Sequence, residues 1–177
     1  MQRIKAIDPD SATGKTRSLL AEVQKTLGTV TNMMRTMANS SAVLEGYLKF
    51  RAALGGGGLS ARLREQIALA VAVANDSQYC LSAHTATGKS VGLSEDDLTA
   101  CRRFASSNQK EEGALQFALR IVMNRGKVSD REVEAVRQAG FNDEEISEII
   151  ANVALNIFTN YFNKIADVSF DFPAAEK

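Results

Sequence analysis

Cys80 and His84 stand four residues apart in the run Asp76-Ser77-Gln78-Tyr79-Cys80-Leu81-Ser82-Ala83-His84, and His84 is the only histidine in 177 residues. On a helix this spacing puts thiol and imidazole one turn apart on one face, where the imidazole can stabilise a thiolate. A helix beginning near Asp76 would also hold Cys80 in its first turn, where unpaired backbone N–H groups and the helix dipole favour an anion. The chemistry this allows is that of a nucleophilic sulfur. The plain alternative is a buried cysteine acting as a small hydrophobe, since Leu81 and Ala83 show that part of the helix faces a core.

A third group precedes them. Glu65 lies fifteen residues before Cys80 in Leu63-Arg64-Glu65-Gln66-Ile67-Ala68-Leu69-Ala70-Val71, a helix that must fold back on the Cys80 helix if the break at Asn75-Asp76 is short. A carboxylate on so apolar a helix is costly to bury without a partner. Either it pairs with Arg62 or Arg64 at the surface, or it orients His84 and relays a proton, as in activated nucleophiles.

The elements that would position these groups are helical throughout. The two prolines, Pro9 and Pro173, lie near the ends and leave the middle uninterrupted. Periodicity predicts helices over 13–27, 31–38, 41–54, about 61–75, 77–90, 95–105, 110–124, 130–139 and 143–165. Three of these starts have capping-box spacing: Ser94 with Asp97, Ser129 with Glu132, and Asn142 with Glu145. The run Gly55-Gly56-Gly57-Gly58 ends one helix and reads as a flexible connector, with no Gly-Lys-Ser/Thr to make it a phosphate loop. Apolar density over 63–73 and 146–165 hints that these two helices pair centrally. No period-two stretch argues for a sheet, so the expected class is all-α, a single helical domain over 1–177 with its core at about 40–165.

Residues 63–85, from Leu63 through Glu65, Ser77, Cys80 and His84 to Thr85, resemble the signature of the carboxymuconolactone decarboxylase and alkylhydroperoxidase D superfamily, in its AhpD-like branch. The pattern there is a glutamate, eleven residues, then C-x-x-C-x-x-x-H, and Glu65, Ser77, Cys80 and His84 fall on it in register. The resemblance implies an AhpD-like helical bundle and a thiol-dependent hydroperoxide reductase. In it Cys80 is the peroxide-attacking thiolate, His84 and Glu65 are its proton-relay partners, and Ser77 occupies the resolving position. It further implies a homotrimer or homohexamer, no metal or organic cofactor, and an external thiol or dithiol reductant such as a lipoyl-type protein. Tyr79 matches the family's tyrosine or histidine before the second cysteine and reads as a pocket wall.

Ser77 is the departure. A serine can hydrogen-bond a neighbouring thiolate but cannot form a disulfide with it, so a two-cysteine cycle within the motif is excluded. Three readings follow: a one-cysteine peroxidase whose sulfenic acid is reduced from outside, an engineered Cys-to-Ser variant of a two-cysteine enzyme, or a protein diverged to decarboxylase-like, non-redox or binding roles. In the second, Ser77→Cys should restore an internal disulfide and raise peroxidase activity. Cys101 is a distant candidate resolving cysteine, though a core position is the better reading.

Composition bounds the remainder. A hydrophobic content of 45% supports a real core, and 21 basic against 21 acidic residues leave no electrostatic footprint for nucleic acid or an anionic membrane. No apolar run approaches a membrane span and the opening residues lack a signal h-region, so a cytoplasmic protein is expected. A zinc site lacks a fourth ligand at close spacing, and serine-hydrolase chemistry lacks a Gly-x-Ser-x-Gly elbow. Phe158, Tyr161, Phe162 and the tail Phe170-Asp171-Phe172-Pro173 are assigned to oligomer contacts.

Overall fold

The computed structural model describes residues 2–175. Among them are nine helices and no strand: α1 (Gly14–Leu27), α2 (Asn32–Met37), α3 (Ser41–Gly55), α4 (Ala61–Ala74), α5 (Gln78–Ser90), α6 (Glu95–Arg102), α7 (Gln109–Met123), α8 (Asp130–Gln138) and α9 (Asp143–Ala166). The three capping boxes form as the spacing predicts, with the side chains of Ser94, Ser129 and Asn142 accepting from the N3 backbone while Asp97, Glu132 and Glu145 bond back. None of the described helices is long and apolar enough to cross a membrane.

α4 is the central element, packed against α5, α6, α7 and α9. Its residues 66–72 are all buried, and Ile67, Leu69 and Val71 are at most 1% exposed. Burying one such side chain contributes about 1.5–3 kcal/mol, so the pairing of α4 with α9 is a principal source of rigidity. On the α6 and α7 side, Glu111 accepts from Gln66 at 2.7 Å, Ser106 at 2.8 Å and Arg62 at 3.3 Å, and Arg62 also pairs with Asp97 at 2.8 Å. Arg62 is therefore engaged away from Glu65.

The turn between α4 and α5 sets the direction of the reactive helix. The N–H of Ser77 donates to Ala72 O at 2.9 Å and that of Asp76 to Val73 O at 3.0 Å, the bond pair of a Schellman motif. Asp76 takes the left-handed conformation at φ 52°. The N-cap of α5 is thus Ser77, one residue later than the expected Asp76, and Ser77 belongs to the ends of both helices.

The glycine run is not a free connector. Gly55 completes α3, and the Glu148 carboxylate of α9 accepts from Gly58 N at 2.8 Å and Leu59 N at 3.0 Å. A Cβ at Gly57 would sit 2.5 Å from Glu148 Oε1, so the carboxylate reaches the loop only because that position has no side chain. Glu148→Ala should cost about 1–3 kcal/mol through loss of these charge-assisted bonds, read as a lower urea midpoint. An unchanged midpoint would mean the loop contributes nothing to the fold.

Candidate active site

Glu65, Cys80 and His84 line one cleft of about 670 Å³ between α2, α3, α4, α5 and α9. Cys80 is the third residue of α5, inside the first turn as its spacing predicts, and is 2% exposed. His84 lies one turn further along. Its Nδ1 is 2.7 Å from Glu65 Oε2, with side-chain exposures of 24% and 17%. The carboxylate accepts the Nδ1 proton, which leaves Nε2 as the nitrogen able to exchange a proton. Of the two fates open to Glu65, the structure shows the histidine contact, because Arg64 instead donates to Leu59 O.

The sulfur has a partner that the motif does not contain. Asn163 of α9, 3% exposed, donates through Nδ2 to Cys80 Sγ at 3.1 Å and to Met33 Sδ at 3.3 Å. A thioether can only accept, so the amide nitrogen must be the atom facing the two sulfurs. Asn163 belongs to a polar line on the buried face of α9, with Asn152, Asn156 and Thr159, the last three lining the cleft. Their spacing of four, three and four residues along α9 was a visible signal.

Ser77 is buried at 2% exposure but does not line the cleft, and its Oγ has no hydrogen-bond partner among the described residues. The thiolate contact expected of it is absent. As N-cap it also makes no side-chain cap bond. Cys101 lies fully buried on α6, outside the cleft lining, beside Gln66, Asp97 and Glu111. Burial first, then the two carboxylates, pushes its thiol up to about 11. At pH 8 in the folded protein an alkylating reagent should therefore leave Cys101 unmodified, as read by peptide mass spectrometry. Labelling of Cys101 without unfolding would overturn its inert role.

The tail makes contacts within its own chain. Phe170 packs on Tyr79 with ring centroids 6.1 Å apart and Phe172 lines the cleft. Asp171 accepts from the Tyr79 hydroxyl and from Asn32 N at 2.9 Å, and Ala175 N donates to Ser82 at 3.0 Å. The segment from Phe170 to Pro173 straps the start of α5 of its own chain because these bonds fix it there. Burial first, then the Asp171 contact, pushes the Tyr79 phenol far up, so it stays a donor. Tyr79 is the pocket wall the motif suggested. On α9, Phe158, Tyr161 and Ile165 remain 40–65% exposed, while Phe162 packs against the core and the Phe158 ring.

No group of three or more His, Cys, Asp or Glu is placed to hold a metal ion among the described residues. The α3 to α7 stretch carries the glutamate, thiol and imidazole, and it is the stretch that matches a family model. Residues 41–122 match the carboxymuconolactone decarboxylase family.

Beyond that stretch, the fold is shared with solved structures along nearly the whole chain. A Ralstonia eutropha JMP134 structure described as an alkylhydroperoxidase AhpD core and uncharacterized peroxidase-related protein is 26% identical, with a TM-score of 0.83 over 96% of this chain and 92% of that one. An uncharacterized peroxidase-related protein from Silicibacter sp. TM1040 is 24% identical, with a TM-score of 0.81 over 95% and 92%. The debrominase Bmp8 is 18% identical, with a TM-score of 0.81 over 95% and 91%, and shares the fold. No curated protein matches the chain.

Proposed function

We propose that the protein is a one-cysteine, thiol-dependent hydroperoxide reductase, with Cys80 as nucleophile, His84 and Glu65 as its proton relay, and Asn163 holding the sulfur in place. The observation that carries this reading is the Glu65–His84 contact at 2.7 Å in the same cleft as a first-turn cysteine whose sulfur accepts an amide N–H. The peroxidase-related description of the Ralstonia structure supports the redox direction.

In the first half-reaction the Cys80 thiolate attacks the terminal peroxide oxygen. An S–O bond forms, the O–O bond breaks, and the alkoxide leaves as the alcohol after taking a proton through His84. Cys80 becomes a sulfenic acid. With serine at position 77, an external thiol must attack that sulfur and expel water to give a mixed disulfide, and a second thiol then releases the disulfide and restores Cys80. A low-molecular-weight dithiol or a lipoyl-type protein supplies both sulfurs. Apart from the peroxide and this external reductant, the proposed cycle calls on the chain's own side chains, in a homo-oligomer of the cytoplasm.

Mass spectrometry after one equivalent of hydroperoxide, with and without a dimedone trap, tests it. The expected product is a single dimedone adduct on Cys80 with Cys101 still a free thiol. An unreacted Cys80 would overturn the redox reading in favour of a non-redox protein of the same fold.

A further inference from the structure

The helix faces that look into the cleft carry more positive charge than the relay of Glu65 and His84 uses. On α4 the lining residues Ala61, Arg64, Glu65 and Ala68 recur at helical spacing, and on α3 so do Tyr47, Arg51, Leu54 and Gly55. Arg64 and Arg51 therefore belong to the inward faces of their helices. Arg62 is the contrast, because two positions earlier on α4 it turns to Asp97 and Glu111. Arg64 spends one N–H on the Leu59 carbonyl, and neither Arg64 nor Arg51 pairs with a carboxylate among the described residues.

Among the described residues Glu65 is the one carboxylate of the lining, and His84 Nδ1 holds its Oε2 at 2.7 Å. Two guanidiniums against one carboxylate leave the cleft positive, in a chain whose formal net charge is zero. Passing the Cys80 proton to His84 creates one charge of each sign and leaves that sum unchanged. The excess charge stands close to the nucleophile. His84, in contact with Glu65, lies about 6 Å along α5 from Cys80 at the helical rise, and Arg64 is the residue next to Glu65. Tyr47, one turn before Arg51 on α3, has a phenol pushed up to about 12 by burial first, with Arg51 opposing and Cys80 and Glu65 adding. Arg51 thus stands about one turn beyond a hydroxyl that lies within electrostatic reach of the sulfur. Met34, Leu54 and Leu155 supply apolar wall between these groups. A carboxylate entering there gains charge-assisted hydrogen bonds that a neutral group of the same shape cannot make.

We infer that Arg51 and Arg64 form an anion site in the cleft, selecting organic hydroperoxides that carry a carboxylate roughly 6–10 Å from the reacting oxygen over neutral ones of the same shape. A compact aryl body with a para carboxylate meets that spacing. The inference rests on the proposed function for the identity of the reacting group, a hydroperoxide at Cys80. It adds a substrate class and two specificity-determining residues to that reading.

Equilibrium binding of unreactive probes at low ionic strength reads the anion site without any turnover. 4-Isopropylbenzoate should bind the intact protein about tenfold more tightly than 4-isopropylbenzamide, its neutral near-isostere, with the ratio shrinking as salt is added. Arg51→Gln and Arg64→Gln should each lower the ratio partway and together bring it close to one. Arg131→Gln on α8, outside the lining, should leave it unchanged. The single variants carry the test if the double variant does not fold. Equal binding of the two probes to the wild type, a ratio unchanged in the folded cleft variants, or an equal loss in Arg131→Gln would overturn the inference. In stopped flow, cumene hydroperoxide bearing a para carboxylate should oxidise Cys80 about tenfold faster than cumene hydroperoxide itself, and no faster in the double variant. A benzoate preference that follows the arginines while Cys80 stays inert to both hydroperoxides would sink the redox reading and leave the anion site standing. Equal oxidation by both, with no benzoate preference, would do the reverse.

Discussion

Cys80→Ala is expected to lower hydroperoxide turnover by roughly three orders of magnitude or more, because no second thiol lines the cleft to replace the nucleophile. Cys101 sits on the far side of α4 with its thiol held protonated at neutral pH. The variant should fold, since alanine is tolerated in a helix and removes one small buried atom. It leaves the Asn163 amide with Met33 as its remaining partner, a cost that appears in stability and not in turnover. Peroxide loss with excess dithiol, followed alongside a thermal melt, separates the two effects. Turnover equal to wild type in a folded Cys80→Ala protein would remove the cysteine from the mechanism altogether.

The second large effect concerns Glu65. Glu65→Leu should lower the rate of Cys80 oxidation by about 10²–10⁴, the range of a lost general acid or base, because His84 would lose the group that fixes its tautomer and ring orientation. Glu65→Gln should fall between wild type and leucine, as its amide oxygen can still accept from Nδ1 while the charge is gone. His84→Leu should match the leucine variant, and the two together should cost little more than either alone, because the pair acts as one relay. Single-turnover oxidation of Cys80, followed by stopped flow, isolates this half-reaction from reduction by thiol. If the double variant loses the product of the two single effects, Glu65 and His84 act independently.

Much of this architecture was legible because helix boundaries leave local marks. Ser94, Ser129 and Asn142 announce their helices within four residues, and the apolar stretch of α4 reveals a central position by itself. The register of Glu65, Cys80 and His84 was legible for the same reason, since fifteen- and four-residue separations act across one short turn. Long-range partners left no such mark. Glu148 lies 90 residues from Gly58, so the glycine run read as slack until its anchor was seen. Asn163 is 83 residues from Cys80, and Asp171 is 92 residues from Tyr79. The asparagines of α9 were visible as a period but not as a surface, because periodicity shows which residues share a face and not what that face meets. Ser77 could be read as the missing sulfur, whereas its separation from the cleft depended on the Schellman turn.

The strap from Phe170 to Ala175 touches the reactive helix without entering the helical core. Phe172 reaches the cleft, and Asp171 joins Tyr79 to the start of α2. Substitutions here can reshape the cleft mouth and the Tyr79 wall while the α4–α9 packing that supports Cys80 is untouched. Evolutionary drift therefore has a place to retune selectivity without risking collapse of the bundle. A designer seeking a new substrate would diversify this strap first and leave the motif helix alone.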